Sequence, residues 1–496
     1  MKPRAIMVWG CSSGAGKSLL ATALCRWAAR RGIDVAPYKA QNMSNNARVV
    51  AGAQGGFGEI GAAQYFQALA ARIAPTVDMN PVLLKPERDT ASQVVLHGNV
   101  APCLSRLPWR ERSHQLAQAA HESFQRLRSR HELLVIEGAG SPAEINLAAN
   151  DYVNLGTARW ARDAGSLRSL LVADIDRGGA FAHLHGTWAL LPEDLKPTLA
   201  GFVLNKFRGD ASLLAPGPAD LQRLTGVPTI GTLPMRRDHG LPDEDGVFDH
   251  APTAAAAGTA EPRVVAIVAY PHVSNLDEFQ PLRQVPGLRV VFARSVADLH
   301  GAHWIVLPGS KQVSSDLTWL RRQGLDRMVR LHAASGRPLL GVCGGLQMLG
   351  QSLADPTGVD GEAGNWPGLG LLPLSTHYEA PKQVERTRAR FEAPGGHWAP
   401  LGGVTLSGYQ IRHGVTQPVG DAIGHAVLHD LDGRTLAWQA GPVLGTALHG
   451  LFESAGVVRA LFGAQVRSLD DSFDALADMV EAHFAPGALQ QLLSSV

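Results

Sequence analysis

The chain has 496 residues, enough for two to four domains, with 45% hydrophobic and only 6% aromatic residues and a formal net charge of +1. Near neutrality argues against nucleic acid as the main partner, and no run approaches the roughly 20 apolar residues of a membrane span. Four cysteines (Cys11, Cys25, Cys103 and Cys343) without a Cys-x-x-Cys pair, and a start at Met1-Lys2-Pro3-Arg4 that reads directly into a strand, predict a reducing, cytoplasmic setting.

The first strand-like run, Ala5-Ile6-Met7-Val8-Trp9, is followed by Gly10-Cys11-Ser12-Ser13-Gly14-Ala15-Gly16-Lys17-Ser18 and a helix-like stretch. Strand, glycine loop and helix in that order predict a phosphate cradle. Backbone N–H groups around Gly16 face the phosphates of ATP, Lys17 neutralises the outer ones, and the Ser18 hydroxyl is a ligand for Mg²⁺. The loop is one residue longer than the common Walker A spacing and resembles that of dethiobiotin synthetase-like ATPases, which implies activation of a carboxylate.

Residues 36–46, 55–61 and 78–86 lie in a segment with an unusual density of polar amides. Asparagine-rich loops are ordinarily solvated turns, but Lys39 and Lys85 stand beside amides able to recognise carboxylate and carboxamide groups. Lys39, Gln41, Asn42, Asn45 and Glu59 are therefore candidate contacts for a substrate rich in such groups. Two later strand ends supply acids. Glu137 closes Leu133-Leu134-Val135-Ile136, and Asp174 closes Leu170-Leu171-Val172-Ala173, with Asp176 two residues on. Ligands of open α/β sheets bind at such tips, so Glu137 and Asp174 join Ser18 as candidate metal ligands, although either acid alone could merely cap a turn. Asn205, ending Gly201-Phe202-Val203-Leu204, is a candidate reader of the nucleotide base.

The low-complexity stretch 251–262 reads as a linker between an ATP-dependent domain (1–250) and a second α/β domain (263–455), followed by a helical tail (456–496) without chemistry. In the second domain, Pro338-Leu339-Leu340 runs into Gly341-Val342-Cys343-Gly344-Gly345. Glycines on both sides argue for a nucleophile elbow that exposes a thiolate at a helix start; a buried structural cysteine is the bland alternative. His449, past another apolar run, is the candidate base. A cysteine elbow with a downstream strand-end histidine resembles the class I glutamine amidotransferases. That resemblance implies glutamine hydrolysis through a thioester, with backbone N–H groups of Gly344 and Gly309 forming the oxyanion hole. The glutamate common two residues after the histidine is absent, since Leu451 stands there and the nearest acid is Glu453. A dyad, or an orienting group from elsewhere, is expected.

The fold class expected is α/β: an N-terminal P-loop, dethiobiotin-synthetase-like domain with a mainly parallel sheet, and a C-terminal class I glutamine amidotransferase-like α/β domain. Over nearly the whole chain, the runs at 38–43, 135–147, 174–179 and 205–210 and the cysteine elbow resemble the cobyric acid synthase family of cobalamin biosynthesis. The resemblance implies amidation of the b, d, e and g carboxylates of adenosylcobyrinic acid a,c-diamide, each step using L-glutamine and ATP. Gly14, Gln410 and Ala447 depart from the family pattern, which usually has aspartate, glutamate and tyrosine there. The rival within this chemistry is cobyrinate a,c-diamide synthase. A deviant-Walker regulatory ATPase would need a second loop lysine where Ser12 stands, and would leave the cysteine elbow unexplained.

Overall fold

The computed structural model describes residues 4–52, 55–88, 91–236, 239–241, 262–420 and 425–494. The expected linker, apart from its last residue, lies outside the described residues. The chain divides into two compact units, and the division interleaves along the sequence. One comprises Met1–Ser44, Val50–Asp245 and Leu469–Val496, the other Asn45–Val49 and Gly246–Ser468.

The first unit is built on β1 (Arg4–Gly10), β2 (Val35–Tyr38), β3 (Leu133–Glu137), β4 (Ser166–Asp174), β5 (Leu199–Phe207) and β6 (Thr229–Pro234). They form one parallel sheet in the order β6-β5-β4-β1-β3-β2. Continuous apolar runs suit strands covered on both faces. Side chains alternate: Met7 and Trp9 join a core with Tyr38 and Phe124, whereas Ile6 and Val8 join Leu24, Trp27 and Phe473. Helix α1 (Lys17–Arg30) leaves the glycine loop directly. The tail is helical, and its helix Leu469–His483 belongs to this unit. There the buried Arg26 holds Asp474 at 2.8 Å and Asp470 at 2.7 Å.

The second unit contains β7 (Arg263–Val268), β8 (Leu288–Ala293), β9 (Trp304–Leu307), β10 (Leu339–Val342), the long strands β11 (Leu374–Phe391) and β12 (Thr405–Pro418), and β13 (Val443–Thr446). The order β8-β7-β9-β10-β13 is parallel, as the α/β reading expects. Beyond β13 the sheet turns antiparallel and runs out to β11, which pairs with β12. This arm has mixed burial along its strands, a half-exposed pattern that a search for buried parallel strands passes over.

Candidate functional site

In the second unit, Cys343 follows β10 with φ 50° and ψ −104°, a conformation non-glycine residues rarely hold unless the surroundings impose it. Those surroundings are backbone. A Cβ on Gly345 would stand 1.8 Å from the Leu307 carbonyl oxygen, and one on Gly344 2.8 Å from the Ser310 nitrogen. Only glycine lets the turn close into the helix Gly344–Leu349. Gly345→Ala is expected to destabilise the chain by about 2 kcal/mol or more, read as a lower denaturant midpoint, because rigid backbone must move.

Cys343 stands close enough to His449 to act on the charge of its imidazole, and its Sγ donates to the Ile411 carbonyl oxygen at 3.8 Å. The Nδ1 of His449 lies 2.7 Å from Glu278 Oε1, and the Gly450 N–H donates to Glu278 Oε2 at 2.8 Å. Glu278 is fully buried in the 3₁₀-helical turns Leu276–Gln284. It fills the third position of a cysteine-histidine-acid constellation from well upstream of both partners. Nothing in the local sequence near His449 points to it. Glu453, the nearest acid in sequence, pairs instead with Arg48 at 2.6 Å.

Burial alone would push the His449 imidazole down, but the Glu278 carboxylate, then Cys343 by charge and hydrogen bond, raise it to about 10. That direction favours the imidazolium, the form that a proton donor to departing ammonia requires. Glu278→Gln removes the largest raising influence and leaves burial in place, so the imidazolium is lost at lower pH. The expected result is a glutaminase whose alkaline limb moves down in pH and whose kcat falls roughly 10–100-fold, measured as a kcat–pH profile.

Gly309 sits in the short strand Gly309–Ser310, paired antiparallel with Val273–Ser274. A Cβ there would lie 3.0 Å from His449 Cε1. The two candidate oxyanion glycines thus border the cysteine-histidine pair, Gly344 through Ser310 and Gly309 through the imidazole. Behind the loop, Ser310 Oγ donates to Asp316 Oδ2 at 2.6 Å. Gln347, on the helix after the elbow, accepts from the Tyr378 hydroxyl at 2.9 Å. Gln410, fully buried, has a physical reason to differ from glutamate. Its amide nitrogen donates to Glu385 while its oxygen accepts from Arg412 Nε at 3.0 Å. A carboxylate at this position would face Glu385 with like charge and no proton to give.

In the first unit the glycine loop lies at the head of β1. Gly16 has φ 104°, and a Cβ on it would fall 1.9 Å from Asn205 Nδ2. Asn205 donates to the Ala15 carbonyl at 2.9 Å, so it braces the loop. Lys17 Nζ ties the loop to the segment after β3, donating to the Ser12 and Gly140 carbonyls at 3.0 and 3.1 Å. Ser18 Oγ donates to Glu137 Oε1 at 2.9 Å, and Lys39 Nζ meets the same oxygen at 2.7 Å. Gln67 and Gln64 donate to Glu137 Oε2 at 2.5 and 3.3 Å. These two amides, three residues apart on the helix Ala62–Ala70, escape sequence reading, although that spacing sets them on one helix face.

A hydroxyl and a carboxylate side by side suit Mg²⁺, which takes few protein oxygens and completes its shell with water and phosphate. Ser18 and Glu137 fit that description. Asp174 is engaged otherwise, with Lys206 at 2.9 Å and Arg177 at 3.5 Å. Among the described residues no cluster of three or more His, Cys, Asp or Glu side chains converges. Of the candidate substrate residues, Gln41 accepts from the Tyr152 hydroxyl at 2.6 Å, and Asn42 is buried with its Oδ1 accepting from the Met43 N–H. Glu59 forms a buried ion pair with Lys85. Asn45 falls in the second unit, where its buried Oδ1 has no hydrogen-bond partner among the described residues. A cavity of about 520 Å³ opens beside the strand tips, lined by Phe207, Leu214, Thr232, Pro234, His483 and Phe484.

Two family descriptions match successive parts of the chain: a CobQ/CobB/MinD/ParA nucleotide binding domain over residues 6–246 and a CobB/CobQ-like glutamine amidotransferase domain over residues 264–457. Relatives named cobyric acid synthase match throughout. The one from Variovorax paradoxus is 59% identical with all of both chains covered. The one from Methylibium petroleiphilum is 59% identical over 99% of this chain and 97% of its own, and the one from Paracidovorax citrulli 60% identical over 98% of each.

Proposed function

Because the chain belongs to the cobyric acid synthase family, glutamine-dependent ligases of cobalamin biosynthesis, we propose that it amidates the b, d, e and g side-chain carboxylates of adenosylcobyrinic acid a,c-diamide, using ATP and L-glutamine. The observation that carries this reading is the coexistence, in one chain, of the Cys343–His449–Glu278 constellation with the Ser18–Glu137–Lys39 cluster at a phosphate loop. The first can release ammonia and the second can activate an acid.

In the glutaminase reaction the Cys343 thiolate attacks the side-chain amide carbon of glutamine. The oxyanion is held by the Gly344 and Gly309 N–H groups, and His449, oriented by Glu278, gives its proton to the leaving ammonia; water then releases glutamate from the thioester. In the ligase reaction a carboxylate oxygen of the corrinoid attacks the γ-phosphorus of ATP, ADP leaves, ammonia attacks the acyl carbon, and phosphate departs. Lys17 and the loop N–H groups hold the phosphates in line. Ser18 and Glu137 would hold Mg²⁺, which would supply neutralising charge to the phosphates. Lys39 and the amides of Gln64 and Gln67 orient the Glu137 carboxylate. Gln41 and Asn42 are proposed contacts of the corrinoid amides, and a cytoplasmic setting is proposed with them. No described helix is long and apolar enough to cross a membrane.

The test is to incubate the purified chain with ATP, glutamine and the a,c-diamide and to follow product mass, each amidation lowering it by about 1 Da. No decrease with this acceptor overturns the assignment.

A further inference from the structure

The residue that stands behind the catalytic histidine comes from far upstream. Arg48 is 1% exposed and belongs, with Asn45–Val49, to the second unit. It forms ion pairs with Asp277, the neighbour of Glu278, and with Glu453 at 2.6 Å. Its Nη1 donates to the Tyr409 hydroxyl at 2.8 Å, and its guanidinium lies 5.0 Å from the centre of that ring. The same ring stacks on the His449 imidazole, with centroids 5.2 Å apart and planes 16° from parallel. The His449 N–H donates to the Tyr409 carbonyl at 2.9 Å, which reinforces that contact, and the Ala47 N–H donates to the Asn275 side-chain Oδ1 at 3.1 Å, just before the turn that carries Glu278.

We propose that Arg48 is a positioning residue of the glutaminase site, fixing the His449 imidazole through Tyr409 on one side and the Asp277–Glu278 turn on the other. The inference rests on the glutamine-hydrolysing reading of Cys343 and His449. Its chemistry follows from the guanidinium, which presents several donors in one rigid plane and so can hold two carboxylates and a phenol at fixed angles. A buried Arg retained only to balance Asp277 and Glu453 would need charge but not that fork. An imidazole that must reach both a thiolate and a carboxylate depends on the angle of its ring, and the stacked tyrosine sets that angle.

The two explanations separate in kinetics. Arg48→Lys keeps the charge and loses the fork. Tyr409→Phe keeps the ring and loses the hydroxyl. Both are expected to fold with melting temperatures near wild type, to hydrolyse glutamine with kcat lowered roughly 10–100-fold, and to leave KM for glutamine within about threefold. The double variant should lose no more than Arg48→Lys alone, since Tyr409→Phe cuts one of the links that Arg48 itself makes. Wild-type kcat in Arg48→Lys, losses that multiply in the double variant, or a fall in kcat that merely tracks a fall in melting temperature overturns the proposal. A wild-type chain that hydrolyses no glutamine overturns the underlying reading as well, whereas an active wild type with unaffected variants overturns only the role of Arg48.

Discussion

Cys343→Ala is expected to abolish amidation with glutamine, by roughly a thousandfold or more, and to leave amidation with a high concentration of free ammonia close to wild type. Removing the nucleophile of a constellation that acts as a unit costs about as much as removing the whole, so residual turnover should fall to the background. The substitution is mild for the fold. Alanine is smaller than cysteine, the site is 6% exposed, and the elbow's geometry is imposed by Gly344 and Gly345. Ammonia reaches the activated acid without the thiolate, which is why the two activities should part. The assay compares corrinoid amidation with glutamine and with ammonium salt at a pH where free ammonia is abundant. Loss of both in a folded protein would mean that Cys343 serves the ligase reaction too, contrary to the two-site scheme.

Lys17→Ala should give the complementary pattern. Amidation is expected to fall by roughly a hundredfold or more with either nitrogen source, while glutamine hydrolysis by Cys343 and His449 persists. The lysine is the only cation in the sequence of the glycine loop itself, and its ammonium already joins the Ser12 carbonyl of that loop to the Gly140 carbonyl beyond β3. Without it, neither the resting loop nor the charge developing on the transferred phosphoryl group is held. Removing divalent cation by chelation should stop amidation in the same way. The measurement is paired: glutamate released from glutamine, and mass lost from the corrinoid. Amidation at wild-type rate in Lys17→Ala would remove the phosphate loop from the mechanism.

What could be read in advance was local along the chain. The phosphate loop and the cysteine elbow are short runs whose glycines exist because other atoms pass too close for a Cβ, the Asn205 side chain at Gly16 and the Leu307 carbonyl at Gly345. Such constraints leave a mark on consecutive residues. Glu278 leaves none: it meets His449 only because the turn Leu276–Gln284 brings it there, and an acid in a turn has many ordinary uses. Gln64 and Gln67 are hidden for the opposite reason, since amides on a helix usually mark a wet face, whereas here both are buried against Glu137. Lys39 and Glu59 were legible as important polar residues but not as members of ion pairs, because pairing with Glu137 and Lys85 is set by the fold. The antiparallel arm that carries Tyr409 and Gln410 was invisible to a search for apolar runs.

The interleaving of the two units bears on how such a chain can be divided. A gene cut after Asp245 would give an upstream product without the helix Leu469–His483, exposing the face of α1 where Arg26 now meets Asp470 and Asp474. The downstream product would lack Arg48 and leave Asp277 and Glu453 without their cation. Neither fragment would be a self-sufficient enzyme, and mixing them could restore function only if short peptides re-inserted in trans. A fusion of this kind is therefore hard to undo by a single break. Separating the glutaminase as a free subunit would require replacing what Asn45–Val49 supplies.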